Sequence, residues 1–184
     1  MHALLAALLL FLPVTPPQAK AWTVDRAHSE INFSAEARFL SAHGYFGAWE
    51  AEVRFVPEDV PASTVKITID VKSITTRNDR RDNHLKSNDF FAADSFPTIT
   101  FVSRRIAAAG DDRWEITGDL TMRGVTREIV VPTQLAFAEG NRRRFKGTFT
   151  LNRMPFGVKY LGTINRVSEE VEVQFQISIL EPPR

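Results

Sequence analysis

Eight segments of this 184-residue chain alternate apolar and polar residues with a period of two, and such a pattern leaves few folds open. Successive side chains of a strand point to opposite faces, so each segment needs one face buried and one wet. Ile31, Phe33, Ala35 and Ala37 alternate with Glu30, Asn32, Ser34 and Glu36. In Tyr45 to Phe55, Trp49, Ala51, Val53 and Phe55 oppose Glu50, Glu52 and Arg54. Val65, Ile67, Ile69 and Val71 oppose Lys66, Thr68, Asp70 and Lys72. Ile99, Phe101 and Ser103 follow, then Trp114, Ile116, Gly118, Leu120 and Met122 after the Gly110-Asp111-Asp112 turn. Arg123-Gly124 reverses the chain into Val125 to Leu135. Phe145, Gly147, Phe149 and Leu151 mark a seventh strand, and Val171, Val173, Phe175, Ile177 and Ile179 an eighth.

Eight strands with turn signals between most of them and almost no helical periodicity predict an all-β sandwich or closed antiparallel barrel. Closure removes exposed edges, and a barrel of this size holds side chains or one small ligand. Helical character is confined to Arg80 to Phe91, inside the charged run Ile74-Thr75-Thr76-Arg77-Asn78-Asp79-Arg80-Arg81-Asp82-Asn83-His84-Leu85-Lys86-Ser87-Asn88-Asp89-Phe90-Phe91. A polar segment ending in two adjacent aromatics suits a short cap over the mouth of an apolar β-structure.

Leu4 to Leu12 is apolar but too short to span a bilayer. Pro13, Pro16 and Pro17 break it, and Ala19-Lys20-Ala21 places small residues at both cleavage-determining positions. The expectation is a signal peptide over residues 1–21, one domain over 22–184, and a periplasmic mature chain without stable membrane insertion. The chain has no cysteine, which removes disulfide frameworks, thiol nucleophiles and thiolate metal sites. Its formal charge of +1 gives no nucleic-acid footprint. The Arg142-Arg143-Arg144 run beside Gly140-Asn141 is read as a solvated hairpin loop rather than a contact with anionic membrane.

Reactive chemistry is hard to find. Among His2, His28, His43 and His84, no pair stands at metal-ligand spacing with a second His or a Cys, so no cofactor or metal is expected. Ser29 follows His28, but neighbours on a strand face opposite ways and form no nucleophile–base pair. The chain carries no Gly-x-Ser-x-Gly elbow, phosphate loop or dinucleotide fingerprint. A binding protein without catalytic residues is the expectation.

Ordered across nearly the whole mature chain stand Trp22, Asp25, His28, Ser29, Ile31 and Phe33; Gly44-Tyr45-Phe46-Gly47; Arg81-Asp82-Asn83-His84-Leu85 with Phe90 and Phe91; Phe96-Pro97-Thr98-Ile99-Thr100-Phe101-Val102-Ser103; Gly118 to Thr126; and Asn152-Arg153 with Phe156-Gly157. This series resembles the YceI-like family, extracytoplasmic lipocalin-shaped barrels that bind polyisoprenoid or other long-chain lipids. The resemblance implies an eight-stranded antiparallel lipocalin-like barrel with a short helical cap and an elongated apolar cavity. It implies a polyprenyl carrier, a quinone or a similar amphipathic lipid as partner. Two positions depart from the family pattern: Ala37 stands where a His is frequent, and Arg153-Met154-Pro155-Phe156-Gly157 lacks the carboxylate of an Arg-x-Asp-Phe-Gly motif.

Within this frame the expected ligand contacts are Phe33, Phe46, Phe55, Ile69, Phe101, Ile116, Leu120, Phe149 and Phe175, with Phe90, Phe91, Phe156 and Tyr160 nearer the mouth. Strict alternation from Trp49 places Phe46 on the opposite face, so its inclusion requires a bulge between Gly44 and Gly47. Arg77, Arg80, Arg81 and His84 are candidate head-group contacts, since guanidinium forks suit phosphate oxygens. With Asp79 and Asp82 among them, a structural Arg–Asp network is the preferred reading, and His84 is read as a hydrogen-bonded cap residue. The competing functions are an enzyme acting on an amphipathic lipid in the same barrel, and a stress-induced structural or interaction module with a well-packed interior and no bound ligand.

Overall fold

The computed structural model describes residues 19–162 and 165–183. Its strands are β1 (Lys20–Val24), β2 (Glu30–Ala37), β3 (Ala42–Phe46), β4 (Trp49–Phe55), β5 (Thr64–Asp70), β6 (Ile74–Thr75), β7 (Thr98–Ala108), β8 (Arg113–Met122), β9 (Val125–Glu139), β10 (Arg142–Asn152) and β11 (Val167–Leu180). Helix α1 spans Asp79–Lys86. All pairings are antiparallel in the order β1-β4-β5-β7-β8-β9-β10-β11, and β1 also pairs with β11, which closes an eight-stranded barrel.

Three further strands extend that wall. β2 pairs with β11, β3 with β2, and β6 with β3. β1 and β2 are therefore halves of one barrel strand interrupted by a 3-10 turn at Arg26–His28, and β5 and β6 are halves of another, interrupted at Val71–Ser73. β3 and β4 are separated by a bend at Gly47 and Ala48. Counted as barrel strands, the eight alternating segments all reappear.

Parity holds well. Ile31, Phe33, Ala35, Val65, Ile67, Ile69, Ile99, Phe101, Phe145, Phe149 and Val171 through Ile179 at alternate positions all face the interior. It slips where the ladders slip: a bulge between Ser103 and Arg105 moves the inward position to Ile106. The bend at Gly47 and Ala48 does the same in the second barrel strand, so that Phe46 and the half-wall from Trp49 to Phe55 both turn inward.

Glycines make room where the wall is crowded. Gly147 lies directly opposite Phe175, and Gly44 opposite Phe33. A Cβ at Gly147 would meet the Pro132 carbonyl and the Phe175 ring well inside van der Waals contact. The inward rings therefore lie flat over glycine backbone, which leaves the barrel axis open.

Four local expectations are corrected. The strand β1, ahead of Glu30, is absent from the period-two reading, because five residues give too short a pattern. The helix ends at Lys86 rather than Phe91: Ser87 caps it, and Phe90 and Phe91 lie in the following turns, whose N–H groups donate to Ser87 and Leu85 carbonyls. The Arg142-Arg143-Arg144 run is the start of β10, not a loop, because Gly140 and Asn141 alone make the reversal and Arg142 already pairs with Glu139. His28 and Ser29 end a 3-10 turn rather than lying on a strand. There His28 Nδ1 bonds Asp25 Oδ2 at 2.9 Å, while Ser29 Oγ donates to the Asp25 carbonyl at 2.6 Å and accepts from Ser178 N–H at 2.9 Å. The two side chains share Asp25 and do not meet, so they form a brace and not a nucleophile–base pair.

The Leu4–Leu12 segment lies outside the described residues. Among the described residues no helix is long and apolar enough to cross a membrane.

Candidate ligand cavity

An elongated cavity of about 490 Å³ runs through the barrel. That volume falls in the range of small-molecule sites, roughly 300–1,000 Å³. On β11 alone, five alternate residues from Val171 to Ile179 face it. Eight residue steps at about 3.3 Å each span roughly 26 Å along the strand.

The lining changes along its length. At one end, Phe55, Phe145 and Trp114 line it, and with Trp22 packed behind Phe55 they form an edge-to-face chain with centroid separations of 5.2, 5.4 and 6.4 Å. These rings sit beside the β4–β5 loop, where Val56 N–H donates to Ser63 Oγ at 2.9 Å. Aliphatic side chains such as Ile67, Ile69, Ile116, Val131 and Val173 make the middle. Phe33, Phe46 and Phe91 follow, at 5.7 and 6.4 Å. Beyond them His84, Phe90 and Tyr160 enclose one another at 4.8 to 5.0 Å. Polar side chains gather at this second end, where Arg81, His84, Arg153, Tyr160 and Asn165 all reach the cavity wall.

Most of the expected contacts converge there. Phe33, Phe46, Phe55, Ile69, Phe90, Phe91, Phe101, Ile116, Leu120, Phe149, Tyr160 and Phe175 line the cavity, as do Arg81 and His84. Phe156 does not: it is 2% exposed and packs in the core beside Val158, because the Arg153–Gly157 turn swings it under the wall. Arg77 and Arg80 are exposed and lie outside the lining, Arg77 on a left-handed backbone (φ 61°) just before the helix.

Arg81 and Asp82 are organised through Thr76 rather than through each other. Asp82 accepts from Thr76 N–H at 2.8 Å and from the Thr76 hydroxyl. Arg81 donates from Nε to Thr76 Oγ1 at 2.7 Å and from Nη2 to the Thr76 carbonyl at 3.0 Å. Asn78 caps the helix by accepting from Arg81 N–H. His84 Nε2 bonds Asp89 Oδ2 at 2.8 Å, so the imidazole braces the cap.

Arg153 is the residue that pattern reading passed over. It is 5% exposed, and its guanidinium donates to three backbone carbonyls, those of Ser168, Val158 and Val167. Burial lowers its pKa, against which Glu169 acts to raise it. The carbonyls satisfy its N–H groups but carry no formal charge, and Glu169 is the carboxylate that acts on it. Its sequence signal was the Asn152-Arg153 motif itself, but nothing in one sequence says that this arginine is buried.

This arrangement, a closed antiparallel barrel around a long, mostly apolar cavity with its charged groups at one end, defines a lipocalin-like barrel. The YceI-like domain model matches residues 22–179, and the chain belongs to that family. A UPF0312 protein of Vibrio cholerae is 32% identical over 154 residues, 80% of this chain and 82% of the relative. One from Vibrio vulnificus is 30% identical over 176 residues, covering 91% and 93%. Among solved structures, Burkholderia cenocepacia BcnA is similar with a TM-score of 0.79 and 29% identity, over 85% of this chain and 99% of that one. A polyisoprenoid binding domain from Saccharophagus degradans shares the fold with a TM-score of 0.69 at 15% identity, over 90% and 99%.

The cap network gives a pH prediction. Burial raises the Asp82 pKa, but hydrogen bonds from Thr76 and Thr75 and the Lys86 charge outweigh it and hold the carboxyl below its ordinary 3.8. A depressed folded pKa adds stability above the unfolded value, and that contribution is lost as pH falls through the folded one. Asp82→Asn should therefore lower stability at neutral pH by about 1–3 kcal/mol and flatten the acid limb below about pH 4. Thermal melts across that range check it; parallel wild-type and variant curves would contradict the assignment.

Proposed function

We propose that this protein binds a long-chain isoprenoid lipid, such as a polyprenyl carrier or a quinone, or a similar amphipathic lipid, and carries or sequesters it outside the cytoplasm. The observation that supports this most is the one-sided distribution of charged and ionisable groups along the cavity: Arg81, His84, Arg153 and Tyr160 stand at one end, whereas the other end offers only the hydroxyls of Ser63, Thr64 and Thr133. A tail is favoured by burial at about 0.8 kcal/mol per methylene, without directional contacts. A charged head is best matched at the end where Arg81, His84, Arg153 and Tyr160 stand. The Saccharophagus degradans domain named for polyisoprenoid binding lends the same reading support by analogy of fold.

A binding role is preferred over catalysis on the same lipid because several polar side chains at the cavity wall, Ser63, Arg81 and His84 among them, are engaged structurally. Ser63 accepts from Val56 N–H, Arg81 holds Thr76, and His84 bonds Asp89 rather than facing a hydroxyl nucleophile.

Extracytoplasmic action rests on the Leu4–Leu12 segment and Ala19-Lys20-Ala21, read as a signal peptide cleaved before Trp22. Intact-mass measurement of the chain recovered from its producing cell should give a terminus at Trp22; an intact Met1 terminus in the membrane fraction would replace the carrier by an anchored protein.

Tail and head contributions are separable. Ile116→Trp fills space the tail needs, at roughly 0.8 kcal/mol for each displaced methylene. Arg81→Ala removes one partly exposed charge, worth about 1 kcal/mol or less by analogy with surface ion pairs. Because Arg81 also holds Thr76, melting temperatures of both variants accompany the titration. In titrations with a long-chain isoprenoid bearing a charged head, and with its neutral analogue, Ile116→Trp should weaken both more than Arg81→Ala does. Loss of charged-ligand binding in folded Arg81→Ala, with Ile116→Trp unaffected, would place recognition in the head group instead.

A further inference from the structure

The β2–β3 reversal carries the two most exposed large apolar side chains among the described residues, Phe39 at 67% and Leu40 at 66%. Side chains of this kind usually turn inward or pack on a neighbour, and here the backbone prevents it. Arg38 N–H donates to the Arg166 carbonyl at 3.0 Å, and Phe39 N–H to Asn165 Oδ1 at 3.1 Å. The hairpin is thus tied to the segment that leads into β11, while its tip residues stay exposed. Glu36, a carboxylate on the same hairpin, accepts a hydrogen bond from Ser41 Oγ.

Position and charge give the tip a meaning. Ala35 and Ala42, just below it, line the cavity, as does Asn165, so the tip stands at the rim of the polar end. Arg38 is exposed beside it, with its guanidinium 5.2 Å from the Phe39 ring centroid, and Arg166 is exposed on the tethering segment. Arg77, Arg80 and Lys159 are exposed at the same end of the barrel, interspersed with the exposed Asp79 and Asp89. An apolar pair flanked by cations matches a bilayer boundary, where acyl chains accept the apolar groups and anionic head groups meet the cations. The opposite end differs: there Arg142 is held by Asp25 and Arg143 by backbone carbonyls.

We propose that Phe39 and Leu40, with Arg38 and Arg166, form a docking tip that seats the cavity mouth on an anionic phospholipid surface. The occupant is the bilayer, and the inference rests on the lipid-binding reading, since docking places the mouth where an insoluble lipid enters or leaves. Contact with the surface is transient and peripheral, made by two side chains rather than by an inserted segment.

The chain has no cysteine, so a single introduced one carries a label alone. Leu40→Cys, labelled with an environment-sensitive fluorophore, should shift to the blue on adding vesicles of phosphatidylcholine with phosphatidylglycerol. The response should be at least tenfold weaker with phosphatidylcholine alone. The same label at Asn141→Cys, on the opposite end, should not respond. Arg38→Glu with Arg166→Glu should abolish the Leu40 response while leaving the melting temperature and binding of a soluble short-chain isoprenoid unchanged. Failure of the Leu40 label to respond to anionic vesicles overturns the docking tip. A response that instead follows protein concentration without vesicles assigns the tip to a second copy of the chain and overturns it equally. If the label responds but no isoprenoid binds in solution, the lipid-cavity reading fails and docking stands without it.

Discussion

Everything in this molecule depends on how β11 is shared. Of its fourteen residues, Glu170 to Leu180 pair with β10 along one edge; along the other the strand pairs first with β2 and then, at Ile179 and Leu180, with β1. That handover closes the cylinder, leaves no open edge there, and turns Val171, Val173, Phe175, Ile177 and Ile179 into one continuous stripe of cavity wall. The 3-10 turn between β1 and β2 is the joint, and it is braced rather than loose. Asp25 receives His28 and Arg142, and Ser29 receives Ser178 N–H. Burial raises the Asp25 pKa, yet those hydrogen bonds and charges hold it below the ordinary value, so the carboxylate is charged where it anchors the joint.

The barrel was legible because its information is local. Alternation over four or five residues identifies an inward face, and a closed antiparallel sheet adds nothing that contradicts it. What was not legible is where the chain departs from alternation. The bend at Gly47 and Ala48 was flagged by its glycines, which is why Phe46 could be placed inward despite its parity. The bulge at Ser103 to Arg105 has no such marker, and the strand was read as ending there when β7 runs on to Ala108.

The cavity residues divide in the same way. Phe33, Phe101, Phe149 and Phe175 follow from period two alone, whereas an apolar residue on a turn has no period to place it. Phe156 resembles a mouth residue in sequence, but the turn that ends at Gly157, φ 82°, tucks it into the core. Arg153 shows the converse. A charged residue in a strand-ending motif reads as surface, and only the three carbonyls converging on it make its burial tolerable. Arg81 was identified as cationic and near the mouth, but its partner is Thr76 rather than an aspartate. A shared hydroxyl six residues from Asp82 gives no pattern to read.

At the polar end Arg81, Arg153 and Asn165 are already bonded to backbone and His84 to Asp89, while the remaining length of the cavity is mostly apolar. On the proposed reading, a preorganised mouth over a non-directional tunnel holds long-chain molecules by burial and sorts them only weakly by head group. Native mass spectrometry of the protein purified without detergent from its own cells, followed by organic extraction, tests that claim most directly. The account predicts a bound species that leaves on extraction, elutes as a long-chain lipid and rebinds at one per barrel. A protein that carries no lipid as isolated, and takes up none when long-chain isoprenoids are supplied, would contradict it.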